Sequence, residues 1–186
     1  MKPTHLPLSL LVLAACGART PTPTPAPTPA DHPATDDSRF GPLEIGADYL
    51  SYRKVTSEPF LSRVHGGRWV DVWVTPAAAD AYVDGGDIPV GTVVVKDSWE
   101  DDGAGHPSKV RGPIYVMKKQ APGYAPDHED WYFAIHWAEP TPDARATLGG
   151  PIYWRGRSPK VAYCYECHDS YDRDLGGLTP SSILPR

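Results

Sequence analysis

The sequence predicts an α+β fold, mainly β: a strand-rich domain with a few short helices, the last of them near the C-terminus. Two observations carry the strands. Residues 69–75 alternate, with Trp69, Asp71, Trp73 and Thr75 on one face and Val70, Val72 and Val74 on the other, the period of two that a half-buried strand requires. Residues 92–97, 114–119 and 130–137 are further runs rich in β-branched and aromatic residues, set off by proline and glycine. A third observation fixes where the chemistry lies. The chain nears its end on Cys164-Tyr165-Glu166-Cys167-His168, and a short helix over 163–170 would present the two thiols and the imidazole.

The N-terminal third reads as export and tether. The 186 residues suffice for one domain with extras, and a formal net charge of -5 argues against nucleic acid as a partner. Lys2 and His5 form a short polar start, and residues 6–15 are mostly apolar but too few to span a bilayer. Leu13-Ala14-Ala15-Cys16 then resembles the bacterial lipoprotein signal, which implies lipidation of Cys16. The plain alternative is a signal peptide cleaved nearby. The resemblance further implies a periplasmic-side lipoprotein of the cell envelope, and Gly17 carries no inner-membrane retention signal, which favours the outer membrane. Residues 1–16 are thus the signal peptide, 17–39 a Pro/Thr-rich tether and 40–186 the folded domain. Residues 20–30 read TPTPTPAPTPA. Alternate prolines favour polyproline II, and at about 3.1 Å per residue this stretch reaches roughly 30 Å.

Within the domain, order should begin near Phe40 or Leu43, and residues 46–52 are a helical turn or an extended lead-in. Glu58-Pro59 blocks a helix, and His65-Gly66-Gly67 is the turn feeding the first alternating strand. His65 is a candidate for the site or a solvated loop residue. Residues 75–82 read as a helix with Thr75 as N-cap and Pro76 in the first turn, stopped at Asp84-Gly85-Gly86. The strand at 92–97 ends on Lys96 and Asp97. Lys96 is either a strand-end lysine with its head in water or, where desolvated, a nucleophile. Residues 100–105, EDDGAG, lack an EF-hand pattern and read as a solvated hairpin tip. In the strand at 130–137, Trp131, Phe133, Ile135 and Trp137 share one face and Tyr132, Ala134 and His136 the other, an arrangement that suits a flat apolar cofactor wall or an ordinary core. Residues 138–160 look like loop; Arg155 and Arg157 are candidates to pair with carboxylates of a bound group or are plain surface cations.

C-x-x-C-H has a specific chemical meaning. Two thiols at this spacing add to the two vinyl groups of one haem, and the following histidine binds the iron axially. A zinc site would need a second ligand pair, and His65, His106, His128 and His136 form none. A redox dithiol would open a helix after a strand in a βαβ unit, and none precedes it. Setting Cys16 aside for lipid leaves Cys164 and Cys167 as an even pair. The cofactor expected is haem c, with Cys164, Cys167 and His168 as its attachment and His168 as the iron ligand.

The order of these pieces resembles the cytochrome P-460 family: W-V-D-V-W-V-T-P and an alanine-rich helix, P-V-G-T-V-V-V-K-D, I-Y-V-M-K-K, D-W-Y-F, and the C-terminal C-x-x-C-H, together spanning about residues 68–168. The resemblance implies a mainly antiparallel β-sheet domain with a haem-binding helix near the C-terminus. It implies that Lys96 matches the lysine that hydroxylamine-oxidising members bond to the haem ring. It also implies an open iron site for hydroxylamine or nitric oxide, electrons passed to a redox partner protein, and an oxidoreductase activity. A base near the open face would help; Glu100, Glu139 and His136 are candidates. The rival implied class is the related cytochrome c-prime-beta, which binds nitric oxide without turnover or serves electron transfer. A third reading makes Met117 a second axial ligand, against an ordinary packing role.

Overall fold

The computed structural model describes residues 47–168. The signal segment, Cys16, the tether, the expected start near Phe40 and the chain beyond His168 lie outside the described residues. Eight strands form a single antiparallel sheet: β1 (Arg53–Lys54), β2 (Phe60–Ser62), β3 (Arg68–Val74), β4 (Val93–Asp101), β5 (Pro107–Arg111), β6 (Ile114–Lys119), β7 (Trp131–Trp137) and β8 (Ile152–Arg155). The order is β1-β3-β4-β6-β7-β8. β2 shares the β1 edge of β3, and β5 shares the β6 edge of β4. Three short α-helices accompany it: α1 (Ala79–Asp84), α2 (Pro142–Leu148) and α3 (Ala162–His168).

The predicted alternation holds in three dimensions. Val70, Val72 and Val74 are fully buried on one face of the sheet with Val94, Met117, Trp131 and Phe133, under Ala79 and Tyr82 of α1. Full burial of each valine contributes about 1.5–3 kcal/mol. Ile135, Trp137 and Ile152 continue that face and pack on Val161, and Cys164 of α3 touches both groups. The other face gathers Val93, Val95, Val116, Tyr132, Ala134 and Tyr153 beneath Tyr49 and Tyr124. It also carries two buried carboxylates directly opposed across the β3–β4 ladder, Asp71 and Asp97. Like charges in that position repel, and each is compensated: Asp71 by Lys54 at 2.9 Å and the Thr56 hydroxyl, Asp97 by Arg111 and the Tyr49 hydroxyl.

Several elements differ from the expectation. β4 runs on to Asp101 and turns into β5; β5 is exposed along most of its length, so no apolar alternation announces it. Residues 138–160 hold α2 and β8 rather than loop alone. α2 buries no residue, but Thr141 accepts from the Ala144 N–H at its start, Pro142 follows, and Gly149 ends it with φ of 78°, a cap-and-stop pattern that needs no amphipathic stripe. Thr75 does not cap a helix side chain to backbone. Its hydroxyl instead accepts from Val93 N–H at 2.7 Å and donates to Val93 C=O at 3.1 Å, joining the end of β3 to the start of β4. The acidic turn is a hairpin tip as expected: Asp101 accepts from Gly103 N–H, and Asp102 from Ala104 and His106 N–H.

Candidate haem site

The seven described residues of α3 are too few to be stable alone, and packing holds them in place. Ser158 accepts from Lys160 N–H and starts a 3-10 turn, Pro159–Val161, that runs straight into α3. Val161, fully buried, pins that turn to the sheet. Tyr165 sets its ring edge-on to Phe133 at 4.7 Å and its hydroxyl toward Gly156 C=O. Cys164, Cys167 and His168 then share one helix face by their spacing. They line one cavity between α3 and the sheet, whose floor is Lys96, Met117 and Phe133. Both thiols are free, and the His168 ring lies 5.0 Å from Phe133.

Lys96 is the decisive placement. It sits in the ladder between Val72 and Tyr115 and is 1 % exposed. A strand-end lysine with its head in water is therefore not what the fold builds. Nζ comes within 3.4 Å of Nε2 of His168. The sheet thus aims an amine, and the helix two thiols and an imidazole, at one apolar space.

His65 joins them. It ends the 3-10 turn Arg63–His65 between β2 and β3. Ser62 Oγ binds its Nδ1 at 2.6 Å, the Tyr115 hydroxyl donates to its C=O at 2.9 Å, and the Tyr115 ring meets the imidazole edge-on at 4.6 Å. Burial, reinforced by Lys96 and His168, pulls the His65 imidazole down to about 2, so it is neutral. The solvated-loop reading is overturned, and no feature of the sequence signals it, because the turn reaches the cavity only through strand pairing. Burial likewise pushes the Cys164 thiol up to about 12, with Lys96 acting in the opposite direction.

Other candidates fall elsewhere. Glu100 pairs with Arg68 at 3.0 Å, Glu139 is exposed, and His136 meets Tyr153 on the far face of the sheet. Arg155 covers the Tyr153 ring, and Arg157 donates to Tyr124 C=O; neither lines the cavity. Met117 is buried in the core and borders the cavity too. Among the described residues no carboxylate lines this cavity, and no group of three or more His, Cys, Asp or Glu is placed to hold a metal ion. The donor set instead fits a covalently held macrocycle: thiols for vinyl groups, an imidazole for iron, and apolar walls for the ring.

An antiparallel sheet with this attachment helix against one face defines a c-type cytochrome of β architecture, unlike the small helical electron carriers. The sequence model of the family described as Cytochrome P460 matches residues 48–175, more than half of the chain. The protein belongs to the cytochrome P460 family and is a c-type haem protein. A search of curated proteins finds no significant match.

Proposed function

We propose that this protein is an exported cytochrome that oxidises hydroxylamine or a related small nitrogen species at an open iron site. The observation that carries the reading is the buried Lys96 amine beside His168 and the cysteine pair. Cys164 and Cys167 would hold the haem through thioether bonds, His168 would ligate its iron, and the buried Lys96 amine would lie within reach of the ring. The bound haem supplies an iron that exchanges single electrons and coordinates small nitrogen ligands. Met117 and Phe133 line the cavity with apolar side chains and would limit water around a bound ring. The α3 packing keeps His168 in place while the sheet keeps Lys96 in place, so the two attachments are set by different elements. A redox partner protein takes up the electrons, and Cys16 carries the lipid that anchors the chain on the periplasmic side of the envelope, at the outer membrane.

One observation favours a second reading. Oxidising hydroxylamine releases protons as well as electrons, and a base at the open face speeds that step. The described cavity lining contains no carboxylate, which suits a cytochrome that binds nitric oxide or passes electrons without turnover. Peptide mass spectrometry on protease-digested holoprotein separates the two. A haem carrying both the Cys164–His168 peptide and a Lys96 peptide, with hydroxylamine turnover in the intact protein, is the expected result. A haem carrying only the cysteine peptide, with no turnover, transfers the proposal to the nitric-oxide-binding class.

A further inference from the structure

Of the two imidazoles that line the cavity, one, His168, comes from the attachment helix; the other is His65, brought by the β2–β3 turn. Its surroundings look built rather than incidental. Its Nδ1 is engaged by Ser62, itself buried. Its backbone carbonyl is held by Tyr115, whose strand neighbour is Lys96, and its ring is steadied by the Tyr115 edge. With Nδ1 taken up, Nε2 is the ring atom left to meet a guest, and no described residue hydrogen-bonds it. His65, Lys96 and His168 line the same cavity. An imidazole clamped by Ser62 and Tyr115, in a cavity it shares with Lys96 and His168 and whose described lining contains no carboxylate, is positioned to hydrogen-bond a small guest.

We propose that His65 is a ligand-binding residue that donates a hydrogen bond from Nε2 to the small nitrogen oxide held at the iron, and that Ser62 is its positioning residue, donating to Nδ1 and so keeping the ring proton on Nε2. The inference rests on the open-iron reading above. It adds a polar group selecting ligands that carry an accepting oxygen.

Nitric oxide added to the reduced holoprotein is the probe, followed by resonance Raman spectroscopy and by the rate of ligand loss. Covalent haem content is checked first in every variant. His65→Phe should raise the isotope-sensitive N–O stretch and speed nitric oxide release about tenfold, the worth of one hydrogen bond. His65→Gln keeps an N–H donor and should fall between the two. Ser62→Ala should shift the band in the direction of His65→Phe, and Ser62→Thr should restore it, which a purely structural role for Ser62 would not produce. An unchanged N–O band in both His65 variants with intact covalent haem overturns this inference and leaves the open-iron reading standing. A resting spectrum that passes from six- to five-coordinate in His65→Phe also overturns it, because His65 would then be an iron ligand. A wild-type protein that binds no nitric oxide removes the open-iron reading and this inference with it.

Discussion

Cys164 lies against both apolar clusters of the haem face, and Cys167 one turn further along α3 lines the same cavity. Replacing both by alanine keeps the wall apolar and removes both thioether partners. Acid–acetone extraction should then strip all haem from the Cys164→Ala, Cys167→Ala variant if Lys96 forms no bond, and leave haem on the Lys96 peptide alone if it does; haem retained on the residue 164–168 peptide would refute the attachment. On the opposite face, Tyr49 donates to Asp97 at 3.1 Å. Burial first, and Asp97 second, push the Tyr49 hydroxyl from 10.0 up to about 12. The folded state therefore holds this proton more tightly than the unfolded chain. The associated stability is complete below about pH 10 and is lost as pH rises toward the folded value. Tyr49→Phe should cost about 1.5–3 kcal/mol at neutral pH, the range for a hydrogen bond to a charged group. It should also lose less further stability than the wild type between pH 9 and 11, as read by urea denaturation of the holoprotein. Equal losses in the two proteins would show that Tyr49 is not the group responsible.

At the scale of elements, β3 was legible because one face is all valine and packs into a mainly apolar cluster, so period and burial agree. β4 was legible only in its buried half. Its outer half, together with β5, is partly or wholly exposed, and solvent imposes no alternation there. α2 hid for the related reason that a helix with no buried residue has no stripe. Thr75 shows a different kind of miss. Thr-Pro before an alanine run is a valid helix start by local rules, yet the neighbouring strand supplies a better use for the hydroxyl, two bonds to the Val93 backbone. Thr75→Val keeps the shape and leaves the Val93 N–H and C=O short of that partner. It should destabilise the holoprotein by about 1–3 kcal/mol in denaturant titrations, whereas Thr75→Ser should recover most of the loss. A Thr75→Val protein as stable as wild type would mean that water or relaxation replaces both bonds.

For the whole molecule, the arrangement is a single sheet whose one face is sealed by aromatic and polar side chains and whose other face receives the attachment helix. That asymmetry puts the candidate haem cavity on the side of α1 and α3 and leaves the Asp71 and Asp97 networks on the opposite face. None of the described helices is long and apolar enough to cross a membrane; the proposed attachment to the envelope is a lipid on Cys16, with the proline-rich tether between it and the domain. Cys16→Ser should move the protein from the membrane fraction to the soluble periplasmic fraction while its haem spectrum stays the same, since about 30 residues of chain separate the anchor from the described domain. Unchanged fractionation would remove the lipoprotein proposal and leave the cytochrome intact.

What the sequence determined by itself was chemistry that sits within a few residues of chain. The C-x-x-C-H spacing suffices to name the cofactor, because thioether attachment and axial ligation draw on neighbours within two helical turns. Strand alternation suffices for the faces of β3 and β7, because one side of each meets an apolar layer. The tertiary structure alone decided where the Lys96 amine, His65 and the base candidates stand. Their distances to His168 depend on which strands pair and in what register, and a strand lysine, a loop histidine and three scattered acid–base residues carry no local mark of that. Lys96 went into the core and His65 into the cavity, while Glu100 was taken by Arg68 and His136 turned to the far face. A shift of one residue in the β3–β4 ladder would have turned Lys96 to the opposite face, since side chains alternate along a strand.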